Sequence, residues 1–174
     1  QQTVNAAYYD IIYWNGRNDS LWAQIIAVAE SFVSMGSNRL KIAWLLKDKY
    51  ATAYGELFPA ALPFPVGSET VRTLVDPLTG QCATLAGVCP SECRAVSGTD
   101  GVDACWPRFP LEGRPGALSG CQPGSATEPF GDAFDCMAAA DQQEITLVYV
   151  NWAKAIAAYE HRLVSRDSAF DRWV

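Results

Sequence analysis

The chain has 174 residues, of which 49% are hydrophobic and 18% are charged, and this balance excludes an intrinsically disordered protein. Its 13 Lys and Arg residues against 19 Asp and Glu give a net charge of -6, which argues against nucleic acid and anionic membranes as partners. No apolar run reaches the roughly 20 residues of a membrane helix, so we expect no membrane span, and the length favours one domain over residues 1–174.

The beginning of the chain indicates a processed or partial polypeptide. It opens at Gln1 without a basic or apolar leader. We therefore expect that any secretory signal was removed or lies outside this piece.

The first helix is predicted from about residue 20 to 34. Asp19 and Ser20 offer side chains suited to an N-cap, and apolar residues then recur at helical spacing. The recurring residues are Trp22, Ile25, Ile26, Ala29, Phe32 and Val33.

A second amphipathic helix follows after a short break. Gly36 interrupts the pattern and Ser37 offers a new cap, after which the apolar period continues towards Tyr54 and Phe58. Two helices joined by so short a turn are expected to pack against each other.

From Pro59 to Asp135 the regular period is lost, because this segment holds most of the prolines and glycines. A short strand at Thr70 to Val75 is weakly indicated. A long segment of this kind needs a function or covalent staples, and the sequence predicts a stapled loop insert at about 76–137.

All six cysteines fall within the insert at about 76–137: Cys82, Cys89, Cys93, Cys105, Cys121 and Cys136. An even number in a loop-rich segment predicts up to three disulfides, formed outside the reducing cytosol, and leaves their connectivity open. A zinc site is the alternative, but Cys89 and Cys93 enclose three residues and the segment contains no histidine. We therefore predict disulfides and no metal site.

The last long helix is predicted from about 141 to 165. Asp141 stands three residues before Glu144, which is the spacing of a capping box. The stripe expected to be buried consists of Ile145, Val148, Trp152, Ile156, Tyr159 and Leu163. Asp167 or Ser168 is then expected to cap a final turn.

Few residues have the pattern of a catalytic or metal site. His161 is the single histidine, which argues against multi-histidine metal sites and most nucleophilic triads, and its helical position suggests a polar face. Trp14 differs from the other tryptophans because it precedes an Asn-Gly-Arg turn outside helical periodicity. It is a candidate for stacking or electron transfer, although most tryptophans serve core packing.

Two blocks resemble the bacterial di-haem cytochrome c peroxidases and their MauG-type relatives. Residues 13–24 read Y-W-N-G-R-N-D-S-L-W-A-Q and are similar to the family's F-W-D-G-R-x-x-S-L-x-x-Q signature. Residues 151–160 read N-W-A-K-A-I-A-A-Y-E, and L-V-S and S-A-F-D-R follow at 163–165 and 168–172, as in the family. Shorter S-N-R-L and Y-G-E-L-F-P elements at 37–40 and 54–59 extend the resemblance to about two thirds of the chain.

The resemblance implies a mainly α, cytochrome c-like fold and an oxidoreductase with two c-type haems, located in the periplasm or otherwise outside the cytoplasm. By the family's pattern, Trp14 relays electrons between the haems and Arg17 supports the turn and the haem propionates. Gln24 lies in the distal pocket of the peroxidatic haem. The position of the family's acid/base Glu, ten residues after Gln24, is Ser34 in this chain.

The chain departs from the family at further positions around this pocket. Asn15 replaces the usual Asp and Val28 replaces a Pro, while Glu30 is the nearby carboxylate. A serine hydroxyl cannot exchange protons as a carboxylate does, so peroxidase activity is not implied by the motif alone.

Neither haem-attachment motif occurs in the chain, so it attaches no haem by itself. Three interpretations stay open: the portion between the two haem motifs of a longer protein, a haem-free relative, or one subunit of a split enzyme. The expected partners are accordingly haem-bearing segments or a haem-bearing subunit, with a redox protein as a further possibility. The competing function is a haem-free binding or assembly module that retains the helical scaffold.

Overall fold

The computed structural model describes residues 3–66, 68–76, 80–84, 88–97, 103–116, 133–165 and 172–173. These residues are mainly α-helical, whereas the cytochrome c-like fold stays a prediction. They form four α-helices and one two-stranded antiparallel sheet: α1 (Leu21–Ala29), α2 (Arg39–Leu57), α3 (Val71–Leu74), β1 (Cys93–Ser97), β2 (Asp103–Pro107) and α4 (Ala139–Glu160). In the described part, no helix combines the length and the apolar character that crossing a membrane requires.

The chain divides into two compact units. The first contains residues Gln1–Gly36 and Tyr149–Val174, and the second contains Ser37–Val148. A small apolar core holds the first unit, formed by Ala6, Ile12, Leu21 and Ala157. The N-terminal segment is also hydrogen-bonded to the residues after α4, because the backbone N–H of Asn5 donates to the carbonyl of Leu163 at 2.8 Å.

Helix α1 begins as predicted but ends five residues early. The Ser20 hydroxyl accepts from the backbone N–H of Ala23 at 3.4 Å and caps the helix. After Ala29 the chain turns, and Phe32 and Val33 are 87% and 91% exposed instead of continuing the buried stripe. Helices gain most of their stability from packing of an apolar face, so a stripe without a packing partner does not extend the helix.

Helix α2 supplies much of the core of the second unit. Its N-cap is Asn38 instead of the predicted Ser37, because the Asn38 side chain accepts from the backbone N–H of Lys41 at 2.9 Å. Non-helical dihedral angles at Tyr50 kink the helix. The buried Trp44 donates through Nε1 to the carbonyl of Pro110 at 2.9 Å and so connects the helix to the segment after β2.

The predicted disulfides are present in the described part of the insert. Cys82 pairs with Cys93 and Cys89 pairs with Cys105. Cys136 is disulfide-bonded as well, and Cys121 lies outside the described residues. Since all five described cysteines are in disulfides, the zinc alternative has no free thiolate among them.

The strand predicted at residues 70–75 is wrong, and two strands elsewhere in the insert were missed. A 3-10 turn at Ser68–Thr70 leads directly into α3. Strands β1 and β2 form an antiparallel hairpin in which Ala95 lies opposite Cys105. Each strand contains one disulfide-bonded cysteine: Cys93 of β1 is joined to Cys82, and Cys105 of β2 is joined to Cys89.

Helix α4 begins at Ala139, and Asp141 is therefore not its cap. The Asp141 carboxylate is buried and instead accepts two hydrogen bonds from Arg108, at 2.9 and 2.7 Å. The predicted buried stripe is partly right: Ile145 and Val148 are buried, whereas Tyr159 is 63% exposed. The prediction of a capped turn at Asp167 or Ser168 lies outside the described residues.

Candidate functional site

Residues 12–18 form a short closed loop, which we call the Trp14 loop. The backbone N–H of Ile12 donates to the carbonyl of Asn18 at 2.8 Å, and this antiparallel bridge joins the two ends of the loop. Ile12 is itself buried in the core of the first unit. The base of the loop is therefore fixed by both a backbone pair and an apolar anchor.

A tight turn shapes the tip of the Trp14 loop. The backbone N–H of Gly16 donates to the carbonyl of Tyr13 at 3.1 Å, and both residues have positive φ angles, 70° for Tyr13 and 63° for Gly16. A Cβ at Gly16 would stand 2.9 Å from Cγ2 of Ile11. Glycine is required at this position because any side chain would face both a strained backbone and a steric clash.

The loop presents an indole and a cation to solvent. Trp14 is fully exposed, and Tyr9 and Ile11 nearby in the sequence are also exposed. The Arg17 guanidinium carbon lies 4.0 Å from the centroid of the Tyr13 ring, a cation–π distance. This contact orients Arg17 along the loop, while Trp14 at the tip is available for contact with another molecule.

The other two predicted site residues lie on and after α1. Gln24 is half-buried on the helix. Ser34 is exposed in the turn that follows, where its backbone N–H donates to the carbonyl of Ser31 at 3.0 Å. Glu30, the nearby carboxylate, is the C-cap residue of α1. Trp14, Arg17, Gln24 and Ser34 thus all belong to the first unit. Ser34, however, lies after the end of the helix on which the sequence pattern predicted it.

The sequence pattern does not predict the exposed apolar turn between α1 and α2. Phe32, Val33 and Met35 are all largely exposed there, on either side of Ser34. The helical periodicity predicts Phe32 and Val33 in the buried stripe of a longer helix, and so it conceals their exposure. The signal that separates the two cases is Gly36, whose φ of 54° and N–H bond to the carbonyl of Ser31 close the turn.

The donor groups of the chain bear on how a haem could be held. The five described cysteines are in disulfides and offer no thiol for a thioether bond to a porphyrin. His161 lies exposed just after α4, where its backbone N–H donates to the carbonyl of Ala157 at 2.9 Å. Among the residues that the structure describes, no group of three or more His, Cys, Asp or Glu side chains is placed to hold a metal ion.

Comparisons of this chain with protein-family models, with curated proteins and with solved structures gave no match. The sequence motifs and the geometry of the Trp14 loop are therefore the features that bear on function.

Proposed function

We propose that this chain is the inter-haem portion of a periplasmic, di-haem c-type oxidoreductase of the peroxidase and MauG type, in which Trp14 relays electrons. The observation that carries the proposal is the full exposure of Trp14 at the tip of an anchored loop. A large apolar ring costs free energy when it stays in water, about 25 cal/mol for each Å² of apolar surface. A partner that covers this ring would remove that cost, and the ring on its anchored loop is accessible to one.

The haems, when bound by the flanking segments or by another subunit, supply the redox chemistry. Trp14 contributes an aromatic ring that can lie against a macrocycle. Arg17 contributes a planar cation suited to pair with a propionate carboxylate, at the cost of its present contact with the Tyr13 ring. Gln24 contributes a neutral amide that can donate to and accept from a bound peroxide or water.

One position weakens the peroxidatic part of this proposal and favours a second candidate function. Ser34 is exposed in a turn and carries no carboxylate, so it cannot transfer protons as the family's Glu does. Phe32 and Val33, which precede Ser34, present apolar side chains to solvent in the same turn. The second candidate is accordingly a haem-free binding or assembly module whose apolar turn and Trp14 loop contact another protein.

The visible spectrum of the whole gene product, purified from its native source, separates the two functions. The redox proposal predicts a Soret band and a c-type pyridine haemochrome in the purified protein or its stable complex. A colourless protein with no haem-bearing partner would overturn it and leave the binding module. Because the measurement uses the native product, it does not depend on refolding an isolated piece.

A further inference from the structure

One asparagine of the chain stands in a chemically distinct position. Of the five asparagines, Asn5, Asn15, Asn18, Asn38 and Asn151, only Asn15 is followed by glycine. Asn15 is also exposed, at the tip of the Trp14 loop. We propose that Asn15 is a site of spontaneous deamidation, which converts this residue into aspartate and isoaspartate. The proposal does not depend on haem or on the proposed function.

The reaction needs only water and a base to remove the backbone proton. The backbone nitrogen of Gly16 attacks the side-chain amide carbon of Asn15; a new C–N bond forms and the amide nitrogen leaves as ammonia. Water then opens the cyclic imide. Cleavage at the side-chain carbonyl gives aspartate, whereas cleavage at the backbone carbonyl gives isoaspartate. No oxidation or reduction takes place in either step.

The loop leaves the attacking nitrogen accessible. Gly16 has no side chain to shield its backbone nitrogen, and Asn15 is open to solvent and base. The Gly16 N–H donates to the carbonyl of Tyr13 at 3.1 Å, and this bond must open before attack. This is a single backbone hydrogen bond of a turn in an exposed loop, and such hydrogen bonds open locally without global unfolding.

Asn38 provides an internal comparison, because its side chain is held in place. Its Oδ1 accepts from the backbone N–H groups of Lys41 and Gly113, both at 2.9 Å, and its Nδ2 donates to Glu112 at 3.2 Å. The next residue, Arg39, begins helix α2 and carries a bulky side chain. Attack at Asn38 would therefore require loss of these three bonds, one of which is the N-cap of α2.

Deamidation would change the electrostatics of the Trp14 loop. Each event adds one negative charge two residues from Arg17, whose guanidinium now lies over the Tyr13 ring. A carboxylate is a charge-assisted partner for that guanidinium and competes with the ring for it. Isoaspartate also lengthens the backbone inside a loop closed by the bridge between Ile12 and Asn18. The presentation of Trp14 is thus expected to differ between the fresh and the aged protein.

The test is peptide mass mapping of the full chain after incubation in mildly alkaline and mildly acidic buffers. We expect the amide-to-acid mass change at Asn15 to accumulate faster in the alkaline buffer, and at least about tenfold faster than at Asn38, where three side-chain hydrogen bonds must break before attack. Ammonia release should match the conversion at Asn15.

Asn15→Gln serves as the matched control, because attack on the longer side chain would form a less favourable six-membered ring. Ammonia release from this variant should fall to the background level, while its circular dichroism spectrum stays that of the parent chain. Equal conversion at Asn15 and Asn38, or no conversion at Asn15, would overturn the proposal.

Discussion

At the scale of single residues, the Trp14 loop depends on Gly16 and on the anchoring of Ile12. Gly16 accepts a positive φ that a β-carbon would make costly, and Ile12 is buried in the core of the first unit. The sequence identified Trp14 as unusual because it stands outside helical periodicity. It could not reveal that the ring is exposed, because exposure depends on which neighbours fold over it.

Glu160, the last residue of α4, carries a pH-dependent contribution to stability. Its Oε2 is buried and has no hydrogen-bond partner among the residues that the structure describes. Burial raises the pKa of the carboxyl, and the charge of His161 partly opposes this. A pKa raised in the folded state means that stability is present at low pH and is lost as pH rises through that pKa. A negative charge at a helix C-terminus is unfavourable as well.

We therefore expect Glu160→Gln to raise the melting temperature at neutral pH, because the neutral amide removes the cost of the buried charge. Below about pH 4 the gain should disappear, because the carboxyl is then protonated in both states. Glu56→Gln, at an exposed position on α2, is the control and should change little. Equal melting temperatures of Glu160→Gln and the parent chain at neutral pH would contradict this account.

At the scale of elements, the pair between Arg108 and Asp141 connects the first turn of α4 to the segment after β2. The Asp141 side chain is 8% exposed and accepts both hydrogen bonds, which raise the pKa of Arg108 above its usual value. The sequence pattern around Asp141 is that of a capping box, and it misled because a residue 33 positions away takes the carboxylate. Long-range pairs of this kind leave no local signal.

Arg108→Ala should destabilise the protein by about 1–3 kcal/mol, because it leaves a buried carboxylate without its partner. The Arg108 side chain is 53% exposed, so the loss is expected to stay below that of a fully buried pair. Lys41→Ala breaks the more exposed pair with Glu112 and should cost about 0–1 kcal/mol. Chemical denaturation measures both, and an Arg108→Ala loss no greater than that of Lys41→Ala would contradict the assignment.

At the scale of the whole molecule, the parts that follow local rules were predictable. The existence of α1, α2 and α4 followed from apolar periodicity, and the disulfides followed from six cysteines in one loop-rich segment. The hairpin of β1 and β2 was not predictable, because its strands were not marked by an alternating apolar and polar pattern. Its two five-residue strands are defined by their pairing, in which Cys93 lies opposite Pro107. The predicted end of α1 was also wrong, because whether Phe32 is buried or exposed depends on the tertiary structure.

The candidate site also has a part that the sequence predicted and a part that it did not. The motif located Trp14 and Arg17, and both lie on one loop with Arg17 against Tyr13. It also projected Ser34 onto a helix, whereas that residue lies in a turn. A motif fixes residue spacing along the chain, but only the fold decides where a helix stops. The structure therefore gives the positions of Trp14, Arg17 and Ser34, while their roles stay predictions.

The most direct test of the proposed relay uses Trp14→Phe in the haem-containing native protein that the proposal predicts, with stopped-flow spectroscopy to follow charge transfer between its haems. The account predicts that transfer slows by at least about tenfold, which corresponds to about 1.4 kcal/mol in the barrier, while both haem spectra stay unchanged. Trp173→Phe, at another exposed tryptophan, is the matched control and should retain the parent rate. A Trp14→Phe rate equal to that of the control would contradict the account.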